Sequence, residues 1–270
     1  ISPTSRAAAV RITYPQTEEA YLVVDAFDKG SSVTIMPDKR TIIGYTTKNS
    51  GGVPANFKNY FVLRFDHDFS FVGSIEDGKL SEGKTSATSN HAMAVVGFHT
   101  KRGEQVNIQV ASSFISDEQA QRNLKEVEGK TFDEVKAEGR KEWNNILGRI
   151  EVEDDNIDHL RTFYSCLYRS VLFPRSFYEF DEQGNPIHYS PYNGKVLSGY
   201  LFTDTGFWDT FRSLFPLLNL VYPSMNEKMQ AGLVNAYKES DSFQSGQVRG
   251  IVIVWWATTR LRSLLMLTSR

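Results

Sequence analysis

Gly199 to Ser224 reads GYLFTDTGFWDTFRSLFPLLNLVYPS. Past Gly206, the residues Phe211, Leu214, Phe215, Leu218, Val221 and Tyr222 recur at the i, i+3, i+4, i+7 spacing of an amphipathic helix. The stretch therefore predicts one helix beginning near Asp209 and Thr210, whose side-chain oxygens suit the unpaired N–H groups of a first turn. Trp208, Asp209 and Arg212 gather at the mouth of that helix. An indole face can cover the C–H side of a sugar ring while a carboxylate and a guanidinium take its hydroxyls. A plainer reading stands beside this one. Trp208 would fill core, Asp209 would cap the helix and Arg212 would pair with a carboxylate. Residue chemistry alone favours the plainer reading.

The longer run shifts that balance. The text TDTGFWDTFRSLFPLLNLVYPSMNEKMQAGLVNAYKES spans residues 203 to 240. Upstream lie EWNNILGRIEVE from Glu142, YSCLYRSVLFPRSFYE from Tyr164 and HYSPYNGKVLSGYLFTD from His188. In this order the four blocks resemble glycoside hydrolase family 92, the calcium-dependent, exo-acting α-mannosidases. They cover most of the chain from about Trp143 to Ser240.

The resemblance implies an antiparallel β-sandwich followed by the first helices of an (α/α)6 toroid. It also implies inverting hydrolysis of terminal α-mannosyl linkages, a mannose-containing glycan as partner, calcium as cofactor, and a periplasmic or secreted location. It carries Asp209 over as a hydroxyl acceptor for the terminal mannose, with Trp208 shaping the pocket. Arg212 stays open between a sugar contact and an inward salt bridge. Inverting glycosidases use two carboxyl groups roughly 6.5–9.5 Å apart. No segment here matches the family's motifs for the acid, the base or the calcium ligands, so no catalytic residue and no metal ligand is assigned. The chain reads as a fragment, incomplete at both ends and inactive by itself. Two alternatives remain: another (α/α)6 glycosidase or phosphorylase, and a non-catalytic carbohydrate-binding sandwich.

Composition agrees with a globular protein. The 270 residues have room for two modest domains, and 40% are hydrophobic and 13% aromatic. A net charge of −2 gives no field for nucleic acid or acidic lipid, and no run is long enough for a membrane span. Cys166 is alone, which excludes an internal disulfide, and its apolar helical surroundings predict a buried structural thiol.

Residues 1–115 alternate as strands do. AAAVRITY, AYLVVDAF, TIIGYTT, YFVLRFD, HAMAVVGFHT and QVNIQVASS are separated by turn clusters at 29–31, 49–52 and 76–78. Without intervening helices, such strands predict a sandwich. Asp66-His67-Asp68 reads as a solvated turn, and His91 and His99 lack a third ligand for zinc. Residues 116–153 predict a helical linker with capping boxes at Ser116/Gln119 and Thr131/Glu134, then a short strand from Arg149 to Val152. From 154 to 240 the helical domain begins. Asp154, Asp155 and Asn156 precede a helix over about 157–172 that Pro174 ends, and another helix covers roughly 226–238. After Asp241 the texture changes: residues 242–270 hold four arginines and no Lys, Asp or Glu. This tail predicts a one-nucleotide loss near Ser240 and translation out of frame, against the alternative of a divergent terminus. The codons of the gene decide between them.

Overall fold

The fold comes from a computed structural model that describes residues 1–49 and 51–240; for Phe207, Trp208, Gln247–Val248 and Ile251–Val252 it describes the backbone alone. The reading-frame expectation concerns the tail from 241 and lies outside the described residues. Contacts divide the chain into two compact units, one of residues 1–49 and 57–141 and the other of the remainder.

The first unit contains β1 (Ser2–Pro3), β2 (Ala7–Thr13), β3 (Thr17–Asp25), β4 (Ser31–Met36), β5 (Thr41–Thr46), β6 (Asn59–Phe65), β7 (Phe71–Glu76), β8 (Lys79–Glu82), β9 (Ser86–Ser89), β10 (Ala92–Thr100) and β11 (Gln105–Ser113). All pair antiparallel, in one sheet ordered β1-β2-β11-β6-β5-β4-β9 and another ordered β3-β10-β7-β8. Alternation explains the layering, because successive side chains along a strand face opposite ways. Val33, Ile35, Ile42, Phe65, Val106 and Ile108 of the larger sheet meet Ala94, Val96 and Phe98 of the smaller one. This is the predicted sandwich. The structure adds β1, β4, β7, β8 and β9 to the six predicted runs, with Asp77 and Gly78 turning β7 into β8 at positive φ.

The other face of the larger sheet carries small residues. Ala7, Ala9, Val62 and Ala111 pack on Ala120, Leu124, Val127 and Val135 from α1 (Asp117–Asn123), the turn after it and α2 (Phe132–Leu147). Both predicted caps form. Ser116 Oγ accepts from the Gln119 amide at 3.1 Å, while Glu134 Oε2 accepts from the Thr131 amide at 2.7 Å and Thr131 Oγ1 from the Glu134 amide at 3.3 Å.

In the second unit α3 spans Ile157–Ser170, with Asn156 Oδ1 capping it through the Asp158 amide at 3.0 Å. Residues 149–152 are not a strand. Tyr164 Oη donates to the Ile150 carbonyl and accepts from the Val152 amide, so a side chain on α3 takes the backbone groups a sheet partner would need. Cys166 is exposed rather than buried, because α3 turns Leu167 inward and leaves its neighbour outside. Among the described residues no helix is long and apolar enough to cross a membrane.

Short strands follow: β12 (Arg175–Ser176), β13 (Glu179–Phe180), β14 (Pro186–Tyr189), β15 (Val196–Ser198) and β16 (Phe202–Thr203). β12 pairs β16, and β13-β14-β15 form a small sheet. Residues 51–56 also belong here: Asn56 Nδ2 donates to the Gly194 carbonyl at 2.8 Å and its Oδ1 accepts from Tyr189 Oη at 3.0 Å.

The single helix predicted from Asp209 onward is broken into α4 (Phe207–Thr210) and α5 (Leu214–Val221), followed by α6 (Pro223–Ser240). Pro216 is the cause. It has no N–H to give the Arg212 carbonyl, and its ring would clash with that carbonyl in a continuous helix. The apolar period still does its work in α5, whose Phe215 and Leu218 pack with Leu167, Phe202, Tyr222 and Met229.

Candidate functional site

The candidate corner hangs from one short strand. β16 pairs with β12 in the register Arg175↔Thr203, and Asp204 follows at φ 59°. Asp tolerates this left-handed conformation better than most residues, and an ion pair holds it there. Arg175 Nε donates to Asp204 Oδ2 at 2.6 Å, and Arg175 Nη2 reaches the same oxygen. The chain thereby turns sharply from a buried strand into α4.

β16 itself is clamped by α6. Gly232 lies so close that an added Cβ would stand 3.0 Å from Phe202 Cδ2, and Asn235 Nδ2 donates to the Tyr200 carbonyl at 3.0 Å. Behind this, His188 on β14 is fully buried. Its Nδ1 lies 2.8 Å from the Gly199 carbonyl oxygen and its Nε2 2.8 Å from Glu239 Oε1 near the end of α6. The other oxygen of that carboxylate, Glu239 Oε2, is buried without a partner. Sequence reading missed Arg175, Asp204, His188 and Glu239, since each pair joins positions far apart with no spacing signal between them.

Both polar members of the predicted trio are exposed. Asp209 does not cap α4: its backbone amide bonds to the Gly206 carbonyl at 3.1 Å, and its Oδ2 lies against the bare Cα of Gly206, where a Cβ would come within 2.9 Å. Thr210 Oγ1 donates to the same carbonyl at 2.7 Å and so does not serve as a cap. Among the described residues no carboxylate pairs with Arg212, whose guanidinium carbon lies 5.1 Å from the Phe211 ring centroid. The backbone of α4 brings Trp208 beside Asp209, while the Trp208 side chain lies outside the described residues. Thr205, just before the turn, is buried and its Oγ1 has no partner. Among the described residues, the corner therefore offers toward solvent a carboxylate and a guanidinium that no ion pair takes up. Among the described residues, no group of three or more His, Cys, Asp or Glu side chains is placed to hold a metal ion.

Residues 1–113 match the glycosyl hydrolase family 92 N-terminal domain, and residues 119–252 match the family's catalytic domain. The chain belongs to glycosyl hydrolase family 92. Solved relatives agree with the assignment. A family 92 inverting mannosidase of Bacteroides thetaiotaomicron is 43% identical, with a TM-score of 0.93 over 99% of this chain and 36% of its own. A family 92 α-mannosidase of the same organism, solved in complex with mannoimidazole, is 26% identical, with a TM-score of 0.76 over 88% of this chain and 32% of its own. A protein of Arthroderma benhamiae described as an uncharacterized secreted glycosidase is 32% identical over 78 residues, 27% of this chain and 10% of that protein. The family 92 chain thus spans about a third of the length of the solved relatives it matches.

Proposed function

We propose that this chain is the substrate-positioning part of an exported, calcium-dependent, inverting α-mannosidase that removes terminal mannose from glycans. In this reading α3, α5 and α6 begin an (α/α)6 toroid. Asp209 accepts hydroxyl protons of the terminal mannose, Trp208 walls its ring, and Arg212 donates to a further hydroxyl. The observation that carries the proposal is the Asp209 carboxylate itself. It is exposed, committed to no cap or ion pair among the described residues, and held against Gly206 at the end of a clamped strand.

An inverting mannosidase matches this chain over almost its whole length, which supports the choice of substrate. Calcium would help hold and distort the mannoside when bound. The described residues gather no ligand set for it, so no ligand is assigned to them and no step is routed through the metal. What these residues do is bind and orient. Two carboxyl groups across the sugar ring, as acid and base, would act from the part of the fold that the solved relatives possess beyond this third.

The test is Asp209→Asn in the intact enzyme, with mannose release from an α-mannoside measured in calcium. One hydrogen bond to a charged acceptor is worth about 1.5–3 kcal/mol, so kcat/KM should fall by about 10- to 150-fold. The 270-residue chain alone should show no turnover. An unchanged kcat/KM in the variant, or robust turnover by the chain alone, overturns the corresponding half of the proposal.

A further inference from the structure

The larger sheet of the sandwich carries a cleft that the mannose corner does not use. It encloses about 360 Å3. Arg11 on β2, Arg64 on β6, and Asn107 and Gln109 on β11 line it because these three strands are neighbours in the sheet. Strand alternation puts all four on the face that carries Ala9, Val62 and Ala111. Lys130 and Phe132, at the start of α2, close the opposite wall.

The cations in this cleft are already balanced. Arg11 Nη2 lies 3.0 Å from Asp133 Oδ2, Arg64 Nη1 2.7 Å from Glu128 Oε1, and Lys130 Nζ 2.7 Å from Glu138 Oε2. An anion would meet guanidiniums that carboxylates have neutralised, and would be repelled by those carboxylates. A hydroxyl group meets the reverse situation. It both donates and accepts, and each ion pair presents N–H groups beside carboxylate oxygens.

Hydrogen-bonding capacity is also left over. Arg11 spends Nε on Asn107 Oδ1 at 3.2 Å and Nη2 on Asp133, leaving Nη1. Arg64 spends Nη1 alone on Glu128. Gln109 spends Nε2 on the Val127 carbonyl at 2.8 Å and keeps Oε1. Phe132 supplies apolar surface for the C–H side of a ring, beside the Arg11 guanidinium, whose carbon lies 4.5 Å from the Phe132 ring centroid. The volume falls near the lower end of the roughly 300–1,000 Å3 typical of small-molecule sites, room for one or two sugar rings.

We propose that this cleft is a saccharide-binding site in its own right. It would take a neutral mono- or disaccharide through hydroxyl contacts to the Arg11–Asp133 and Arg64–Glu128 pairs and to Gln109. The proposal goes beyond the reading of Asp209 and does not depend on it. Open and solvated, such a site binds in the millimolar range, about −4 kcal/mol.

The experiment is a 1H–15N NMR titration of the whole chain with methyl α-mannopyranoside, mannobiose and glucose, with inorganic phosphate as the anionic comparison. Saturable shifts in amides of Arg64, Asn107, Gln109 and Phe132 are expected with at least one sugar. They should persist in Asp209→Asn and weaken about tenfold in both Arg64→Ala and Gln109→Ala. Arg64 is half-exposed, so its variant keeps the fold, and its unliganded spectrum verifies this. The proposal is overturned if no sugar shifts these amides at millimolar concentration. It is equally overturned by phosphate binding more tightly than any sugar, or by shifts that vanish in Asp209→Asn and survive in Arg64→Ala.

Discussion

His188→Leu should be among the most damaging single substitutions in the second unit. The wild-type ring is wholly buried and spends both nitrogens, Nδ1 at 2.8 Å from the Gly199 carbonyl and Nε2 at 2.8 Å from Glu239 Oε1. Leucine fills similar space, so little cavity opens. What it leaves behind is a carboxylate 8% exposed at its side chain, with neither oxygen paired. Breaking a buried pair by removing one partner costs about 3–5 kcal/mol, and the lost bond to the Gly199 carbonyl adds about 1 kcal/mol. The expected loss is about 4–6 kcal/mol.

Two further variants sharpen this. Glu239→Gln can donate an amide N–H to the unprotonated Nε2 of a neutral ring, so its cost should stay near 1 kcal/mol. The double variant His188→Leu with Glu239→Leu removes the stranded charge and should recover much of the loss. Urea unfolding followed by tryptophan fluorescence reads the right unit, because Trp143 and Trp208 belong to it and residues 1–49 and 57–141 contain no tryptophan. A His188→Leu cost below about 1 kcal/mol, or a double variant no more stable than the single, would refute the reasoning.

In the first unit, His67 Nδ1 lies 2.6 Å from Asp66 Oδ1 and Nε2 3.3 Å from Glu104 Oε1. Burial pulls the His67 pKa down, but the two carboxylates outweigh it and raise the value above 6.5. Burial likewise pushes Asp66 up, and hydrogen bonds from Asn107 and His67 outweigh it, leaving Asp66 below 3.8. The His67 contribution to stability is therefore full below pH 6.5 and lost as pH rises through its raised value, while the Asp66 contribution is full above pH 3.8 and lost on acidification through its depressed value. An NMR titration of the His67 ring should show a midpoint above 6.5, and a midpoint at or below that value contradicts the assignment. Gly44→Ala on β5 should destabilise the same unit by about 1–3 kcal/mol or more. The new Cβ would collide with the Ser32 carbonyl oxygen on β4 and stand 2.5 Å from Phe61 Cζ; an unchanged thermal transition by far-UV circular dichroism would contradict this.

The parts of the fold legible in the sequence are those where one local pattern suffices. β2, β3, β5, β6, β10 and β11 alternate over seven or so residues, and α2 and α3 carry their caps in the text. β8 and β9, KLSE and SATS, are short and polar, and only pairing with β7 and β4 makes them strands. The break before α5 was present in the sequence as Pro216, but the apolar period running through it was the louder signal. At the candidate site, the sequence singles out Trp208, Asp209 and Arg212 because they crowd into five residues. Arg175–Asp204 spans 29 residues and His188–Glu239 spans 51. No local period encodes pairs that only the tertiary fold brings together.

Asn56 has a bearing on how this polypeptide can be made in pieces. It sits in sequence between two strands of the sandwich, yet its amide satisfies the Gly194 carbonyl and the Tyr189 hydroxyl, 138 and 133 positions later. A clone starting at Glu142, where the longer segment of the second unit begins, would therefore arrive without a segment its own interior uses. During synthesis the same segment leaves the ribosome long before the groups it will bind, so the later unit completes itself only by reaching back to chain already delivered. A split expression that supplies residues 1–141 in trans is the arrangement that returns it.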